Sequence, residues 1–343
     1  VRSRKLGSAV VREVDVRSRA RLTDHTLSRA ARNGEPLLLG PFLGEIGYEL
    51  EYWIPFLRRR LHRHAIPSEQ ATVMTRGGAA LWYSDFAAGE LDILGLMPPD
   101  RYLPRLEDRR RRAGDLKQLR VDRFDRELVA LARERLGRVA VIHPGLMFAR
   151  LRGLWFKGVP LDALWPQLEY RPMAVEPVPS LVPARDYVAV KLYFNECVTP
   201  SAANRAFFQS VIDRLAERGD VVLLSTGLLV DDHEEWTTRH DRVHAVEGAL
   251  RPEDNLAVQT RIIAGARGFV ATYGGFSYLG PLLGVPTLTF LEIEQTVPLH
   301  REVIRRALPE ADYANARTGD RGAVDRFVAR LAAGETTKRP CDA

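Results

Sequence analysis

Short apolar runs that end in glycine or proline alternate along this chain with longer stretches whose apolar residues recur at helical spacing. Leu37-Leu38-Leu39 ends at Gly40-Pro41, the mark of a buried strand giving way to a loop. Glu49–His62 then carries Leu50, Trp53, Ile54 and Leu57 at helical spacing. Ala71–Thr75 predicts a second strand, followed by Arg76-Gly77-Gly78 and a helical stretch with Leu81, Trp82 and Phe86. Residues 100–120 are charged and read as an exposed loop or helix. Phe124–Leu136 predicts an amphipathic helix, and Val139–Ile142 a strand ending at His143-Pro144-Gly145.

Between Trp165 and Pro183 the prolines crowd and the period disappears, so 171–184 reads as a semi-rigid linker. The alternation then restarts. Strands are predicted at Tyr187–Phe194, Val221–Ser225, Arg242–Val246, Gly268–Thr272 and Pro286–Leu291. Helices are predicted from Ser201 to about Arg218, at Asn255–Ala266, at Ser277–Leu283 and at Arg321–Ala333. Strands that alternate with helices imply parallel sheets covered on both faces. The expected fold is therefore α/β, with two Rossmann-like α/β/α domains at 35–170 and 185–320 and a closing helix at 321–335. Residues 1–34 are rich in Arg and Ser, lack an apolar period, and read as a basic, mobile or loosely docked extension.

Composition narrows the picture only a little. The 343 residues carry a net charge of +6, with 45% hydrophobic and 27% charged residues, the balance of a water-soluble globular chain. No run approaches the roughly 20 apolar residues of a membrane span, and no apolar core follows the basic start, so cytoplasm is the expected compartment. Only five of the 50 basic residues are lysines, a bias read as codon composition more than function. Nucleic acid is not an expected partner, and a weak pull toward an acidic membrane surface is the one lipid contact the charge allows. Cys197 and Cys341 form neither a disulfide framework nor a metal spacing. Asp231-Asp232-His233 runs on into Glu234 and Glu235 and reads as acidic surface, so no metal site is expected.

The sharpest chemical signal is the run from Phe269 to Phe290, where a buried strand ends in Thr272-Tyr273 and turns through Gly274-Gly275-Phe276-Ser277. Glycines let a ligand approach the main chain, and free N–H groups at a helix start favour a phosphate. Strand, small-residue turn, short helix and then Gly284-Val285-Pro286 leading into the next strand resembles the donor half of a GT-B-type glycosyltransferase. The heptosyltransferase and fucosyltransferase groups are similar in this respect. The resemblance implies two domains facing a cleft, an acceptor on the first, a nucleotide-diphosphate sugar on the second, and no required metal or further cofactor. It also implies that the closing helix packs back toward the first domain.

On the donor side, Lys191 and Asn195 at the end of the first strand of this half, Thr226-Gly227 after the second, and Glu292 after the strand that follows the glycine turn are the expected contacts, with Tyr273 and Gly274–Ser277. An ammonium near a diphosphate neutralises the leaving group, and a carboxylate binds ribose hydroxyls. Retaining members of this fold often carry a Glu just before the helix leading to Gly-x-Pro. Here that helix reads Tyr278-Leu-Gly-Pro-Leu-Leu283 with no acid, which favours inversion.

In the first half, Gly40-Pro-Phe-Leu-Gly-Glu-Ile-Gly-Tyr-Glu-Leu-Glu-Tyr-Trp53 places carboxylates at a glycine-rich turn. Glu45 is the leading candidate for a general base toward an acceptor hydroxyl, with Glu49 and His143 as further catalytic candidates. Gly44, Gly47, Tyr48 and Arg76 are the acceptor-side candidates; the acceptor is a glycan, a lipid-linked sugar or a small molecule. Acidic residues at a helix start are stabilising in themselves, so a structural role competes for each. A nucleotide-sugar epimerase or hydrolase, and a non-catalytic binding protein using the basic N-terminus, are the alternative functions.

Overall fold

The computed structural model describes residues 24–113, 117–156, 160–178, 180, 182, 186–225, 234–246, 250–293 and 298–334. The chain divides into two compact units, Val1–Glu169 and Tyr170–Ala343. Each is built on a parallel sheet, as the alternation of strands and helices requires.

The first unit holds β1 (Leu37–Leu39), β2 (Ala71–Thr75), β3 (Gly89–Asp92) and β4 (Ala140–Ile142), in the order β3-β2-β1-β4, all parallel. Side chains alternate across the sheet. Leu38 and Met74 join Phe124, Leu128 and Ala132 of the helix Arg123–Leu136 and Tyr102 of the helix Pro99–Ala113 in one core cluster. Leu37, Leu39, Val73 and Ile142 point the other way and are equally buried, so both faces are covered.

Residues 24–33 form a helix, which corrects the expectation of a loosely docked extension up to 34. Leu27 and Ala30 are buried, Asp24 pairs with Arg60 at 3.2 Å, and Gln70 donates to the Ala30 carbonyl at 2.8 Å. Residues 1–23 lie outside the described residues. Of the two readings of 100–120, the helix holds over Pro99–Ala113, and Arg109 turns inward from it to Asp125 at 2.8 Å.

After β1 the helix begins at Ile46, widens into a π turn over Glu49–Trp53 and continues as Ile54–Arg63. Pro55 has no N–H to give the Glu51 carbonyl, which is where an α-helical ladder would need one. The same helix buries Arg58 and Arg60. Arg58 grips the Asp85 carboxylate at 2.7 and 3.1 Å and the Glu169 carbonyl at 2.9 Å; Arg60 reaches Asp24 and Gln167.

The second unit holds β5 (Tyr187–Lys191), β6 (Tyr193–Phe194), β7 (Asp220–Leu223), β8 (Glu234–Glu235), β9 (Val243–Ala245), β10 (Gly268–Thr272), β11 (Thr287–Leu291) and β12 (Tyr313–Arg317). Six of them form a parallel sheet in the order β12-β11-β10-β5-β7-β9, and β6 pairs antiparallel with β8. On one face Val188, Val190, Val221, Val270 and Phe290 pack against Phe207, Phe208, Val211 and Ile212 of the helix Ala202–Ala216. On the other, Tyr187 donates to the Ile262 carbonyl of the helix Asn255–Gly265 at 2.7 Å.

The helix Arg321–Ala333 places Ala323, Val324, Phe327 and Val328 in that same cluster, with Asp325 bonded to Arg214 at 2.7 Å. Its apolar stripe belongs to the core of the second unit. Residues 171–178 have no regular structure, and Met173 is buried with its N–H on the Leu282 carbonyl at 2.7 Å, so this part of the linker is docked on the second unit. No helix among the described residues is long and apolar enough to cross a membrane.

Candidate functional site

Ligands of open parallel sheets bind beyond the carboxyl ends of the strands, where the strand order reverses. In the first unit that point lies between β1 and β4, with the turn after β2 beside it. Glu45, Arg76 and His143 follow the ends of β1, β2 and β4 respectively, so the topology gathers them at one sheet edge.

The turn after β1 starts at Gly40, where φ is +128° and a Cβ would sit 2.4 Å from the Met74 carbonyl oxygen; no other residue fits there. From Gly40 to Gly44 the chain is buried, and at Glu45 it emerges. Glu45 caps the short helix Ile46–Tyr48 and is exposed, which leaves its carboxylate in reach of a solute. Gly47 and Tyr48 follow half-buried, with Tyr48 packed on Tyr52 and Phe148 and under the ammonium of Lys117.

Glu49 behaves differently. It is fully buried, and one carboxylate oxygen accepts from Thr75 Oγ1 at 2.7 Å and from the Tyr83 hydroxyl at 2.6 Å. Burial pushes its carboxyl above the usual range, against the opposing pull of Arg76 and of the two hydroxyl donors. Burial also raises the Tyr83 hydroxyl, with the Glu49 charge adding to it, so Tyr83 remains the donor. Arg76 donates to the carbonyls of Phe42 at 3.3 Å and Gly44 at 2.7 Å, and its Nη1 lies 3.7 Å from Glu49. Both donors of its fork are thus engaged by the turn.

His143 is buried. Its Nδ1 accepts the Gly145 N–H at 3.0 Å, which assigns the proton to Nε2, and Nε2 stands 3.3 Å from the Asp125 carboxylate in a close contact outside aligned hydrogen-bond geometry. Burial alone would raise Asp125, but His143, then Arg109 and the Asp122 N–H, more than offset it and hold the carboxyl well below the ordinary range. Asp125 also receives Gln118 at 3.1 Å. Gln118 in turn accepts from the Leu43 N–H at 2.6 Å and donates to the Pro41 carbonyl at 2.8 Å. His143 therefore sits in a network that supports the turn.

In the second unit the reversal lies between β5 and β10, and the turn Gly274–Ser277 follows β10 there. Tyr193 and Asn195, just past β5, lie against it. A Cβ on Gly274 would meet the Tyr193 hydroxyl at 2.1 Å and Asn195 Nδ2 at 3.5 Å. A 3₁₀ turn, Gly275–Tyr278, precedes the α-helical Leu279–Leu282, so the helix starts two residues earlier than the pattern implies. Ser277 closes the turn by bonding back to the Gly274 carbonyl, through N at 3.0 Å and Oγ at 2.7 Å. The N–H groups of Gly275 and Phe276 have no hydrogen-bond partner among the described residues. Tyr273 is buried beneath, its hydroxyl 2.9 Å from that of Tyr278.

Lys191 ends β5 with its ammonium on the Leu224 carbonyl at 2.7 Å and on Glu235, and 5.3 Å from the Phe276 ring. Glu235 also accepts from Ser225 at 3.0 Å. Asn195 holds the Cys197 and Val198 N–H groups at 2.9 and 3.1 Å and the Tyr273 carbonyl at 3.3 Å. Glu292 accepts from Thr199 N at 2.9 Å, Thr199 Oγ1 at 2.7 Å and Asn204 at 3.0 Å, bonds that lower its carboxyl, the Thr199 N–H foremost. Thr226, Gly227 and Asp231–His233 lie outside the described residues. No group of His, Cys, Asp and Glu able to hold a metal ion occurs among the described residues. A cavity of about 630 Å³ opens at the opposite end of the first sheet, beside Arg29, Glu35, Arg133 and Arg138.

The sequence reading missed Thr75, Tyr83, Gln118, Asp125, Tyr193 and Glu235. Most are ordinary polar residues with a partner far away along the chain and no local signal; Asp125 is the exception, since Asp122 and Asp125 form a capping box at the start of the helix Arg123–Leu136.

No protein-family model and no curated protein matches this sequence. Several solved structures are similar to it in backbone course at low identity. The iron-containing dodecameric glycosyltransferase TibC of enterotoxigenic E. coli is 12% identical over 88% of this chain and 77% of its own, with a TM-score of 0.44. A glycosyl transferase family 9 protein of Veillonella parvula is 10% identical over 89% of this chain and 90% of its own, with a TM-score of 0.45. The UDP-GlcNAc 2-epimerase of Methanocaldococcus jannaschii is 11% identical over 89% of this chain and 94% of its own, with a TM-score of 0.39.

Proposed function

We propose that this protein is a glycosyltransferase that moves a sugar from a nucleotide-diphosphate sugar to an acceptor hydroxyl, with inversion and without a metal ion. The observation that carries the reading is the Gly274–Ser277 turn. It stands where the strand order of the second sheet reverses, between β5 and β10, with the N–H groups of Gly275 and Phe276 unengaged among the described residues. Backbone donors at such a point suit a phosphate.

In this reading the second unit holds the donor. The N–H groups of Gly275 and Phe276 bind the diphosphate, and Lys191 neutralises it after exchanging Glu235 for phosphate oxygen. Glu292 and Asn195 support the loop beside the ribose. The first unit supplies Glu45, which takes the proton of the acceptor hydroxyl. That oxygen forms its bond to the anomeric carbon from the face opposite the diphosphate. The carbon–oxygen bond to the diphosphate breaks, and the electron pair leaves with the phosphate, where the fixed donors stabilise the growing charge. One displacement inverts the anomeric centre and needs no enzyme nucleophile, consistent with the absence of an acid along Tyr278–Leu283.

A thermal-shift screen against UDP, GDP, ADP, CMP and dTDP, with magnesium and with EDTA, tests the reading. Stabilisation by one nucleoside diphosphate that survives EDTA supports it and names the donor class. No shift at millimolar concentration removes the donor site. Turnover of the matching nucleotide sugar without any acceptor points instead to an epimerase or hydrolase.

A further inference from the structure

The turn that carries Glu45 is held by side chains from outside itself. The N–H of Gly40 bonds to the Ile142 carbonyl at 2.9 Å and that of Phe42 to the Met74 carbonyl at 2.9 Å, both ordinary extensions of the sheet. Beyond them the backbone has no strand to pair with. Arg76 takes the carbonyls of Phe42 and Gly44, and Gln118 takes the Pro41 carbonyl and the Leu43 N–H. Buried main-chain groups must find partners, and here a guanidinium and an amide supply them.

Behind Arg76 stands Glu49. Its carboxylate is 0% exposed, so it cannot touch a substrate. Thr75 and Tyr83 fix one oxygen, and the other accepts no hydrogen bond and faces Arg76 at 3.7 Å. A buried carboxylate is costly unless something opposes its charge, and Arg76 is the cation that does. Glu49, Arg76 and the carbonyls of Phe42 and Gly44 form one chain of contacts that ends a residue short of Glu45.

We propose that Glu49 and Arg76 are positioning residues: the buried carboxylate aligns the guanidinium, and its two donors set the Phe42–Gly44 backbone so that Glu45 is presented at a fixed place on the edge of the first sheet. The catalytic consequence rests on the reading of Glu45 as the base, whereas the hold on the turn does not. A planar fork is needed to grip two carbonyls at once, and lysine offers one point charge instead.

Amide hydrogen exchange on the full chain, without ligand, reads the hold directly. In Arg76→Lys and in Glu49→Gln the amides of Leu43–Ile46 should exchange about tenfold faster or more, while those of residues 268–278 keep their protection. Unchanged protection at Leu43–Ile46 in both variants overturns the proposal. Loss of protection in both regions of Glu49→Gln signals unfolding, and Arg76→Lys then decides alone.

Kinetics with the nucleotide sugar chosen by the screen supply the second readout. Arg76→Ala should lower kcat about 100-fold at an unchanged donor KM. Millimolar guanidinium should restore part of that loss, and none of the loss in Glu45→Gln. An equal fall in donor affinity, or no rescue in a folded variant, overturns the positioning role. If exchange behaves as expected but Glu45→Gln turns over like the wild type, the assignment of the base fails and the hold on the turn stands.

Discussion

The guanidinium of Arg76 donates to the main-chain oxygen of Gly44 at 2.7 Å, one residue ahead of Glu45. Anchoring on one side and exposure on the other is what a proton acceptor needs, because it must be reachable by its substrate and yet not wander. Glu49, four residues on, is reachable by nothing. Two carboxylates on one turn thus stand in different surroundings, and the difference is burial.

Glu45→Gln should therefore keep the fold and the thermal shift produced by nucleoside diphosphate, and lose turnover by a factor of about 100 to 10,000. Steady-state kinetics at saturating donor measure it. Wild-type turnover would exclude Glu45 as the base.

Gly274 has φ near 164°, an extended conformation open to any residue, so a substitution there acts through space rather than through backbone strain. A Cβ would lie 2.1 Å from the Tyr193 hydroxyl oxygen. Gly274→Ala should displace the turn and abolish the nucleotide-induced thermal shift. Adding Tyr193→Phe removes the clashing oxygen and should return part of that shift, a coupling a double-mutant cycle detects. Additive losses would mean that the clash is relieved in some other direction.

Asp125 is held below the ordinary carboxylate range by its partners in the fold, while in the unfolded chain it titrates near about 3.9. A depressed folded-state value stabilises the protein in full above the unfolded value, and the contribution fades as pH falls toward the folded one. Asp125→Asn should cost about 1–3 kcal/mol at neutral pH, since it takes from the buried Arg109 one of its two carboxylates and leaves it Asp122 alone. In urea melts the gap to wild type should close progressively below about pH 4. A gap that stays constant to pH 3 would show that shape, not charge, is what Asp125 contributes.

Phe327 is buried in the core of the second unit. Phe327→Ala should destabilise it by about 3–5 kcal/mol, visible as a lowered urea midpoint. An unshifted midpoint would mean that the helix Arg321–Ala333 is peripheral to that core.

How far the sequence could be read follows from burial. The runs at Leu37–Leu39, Ala71–Thr75 and Gly268–Thr272 are legible because central parallel strands are apolar on both faces. The sequence pattern does not predict β3 and β12, which are the strands at one edge of each large sheet. Their sequences, Gly-Glu-Leu-Asp and Tyr-Ala-Asn-Ala-Arg, carry polar side chains that solvent can reach, so no apolar run announces them. At the candidate sites, glycine-rich turns after apolar strands single out Glu45 and Gly274 as candidates. Their partners left no such trace. Leu43 and Gln118 are separated by 75 positions and Lys191 and Glu235 by 44, and only the fold brings each pair together.

The inward arginines of the first unit change what its basicity means. Arg58, Arg60 and Arg109 are almost wholly enclosed, and each faces a carboxylate: Asp85, Asp24, and Asp122 with Asp125. Their charge is cancelled where it stands, and their several donors stitch helices, loops and main chain together as no ammonium would. A passing polyanion does not feel such groups. What the composition counts as positive charge is in part internal carpentry, and because each inward arginine is matched by a carboxylate, the net charge of +6 is carried by other residues.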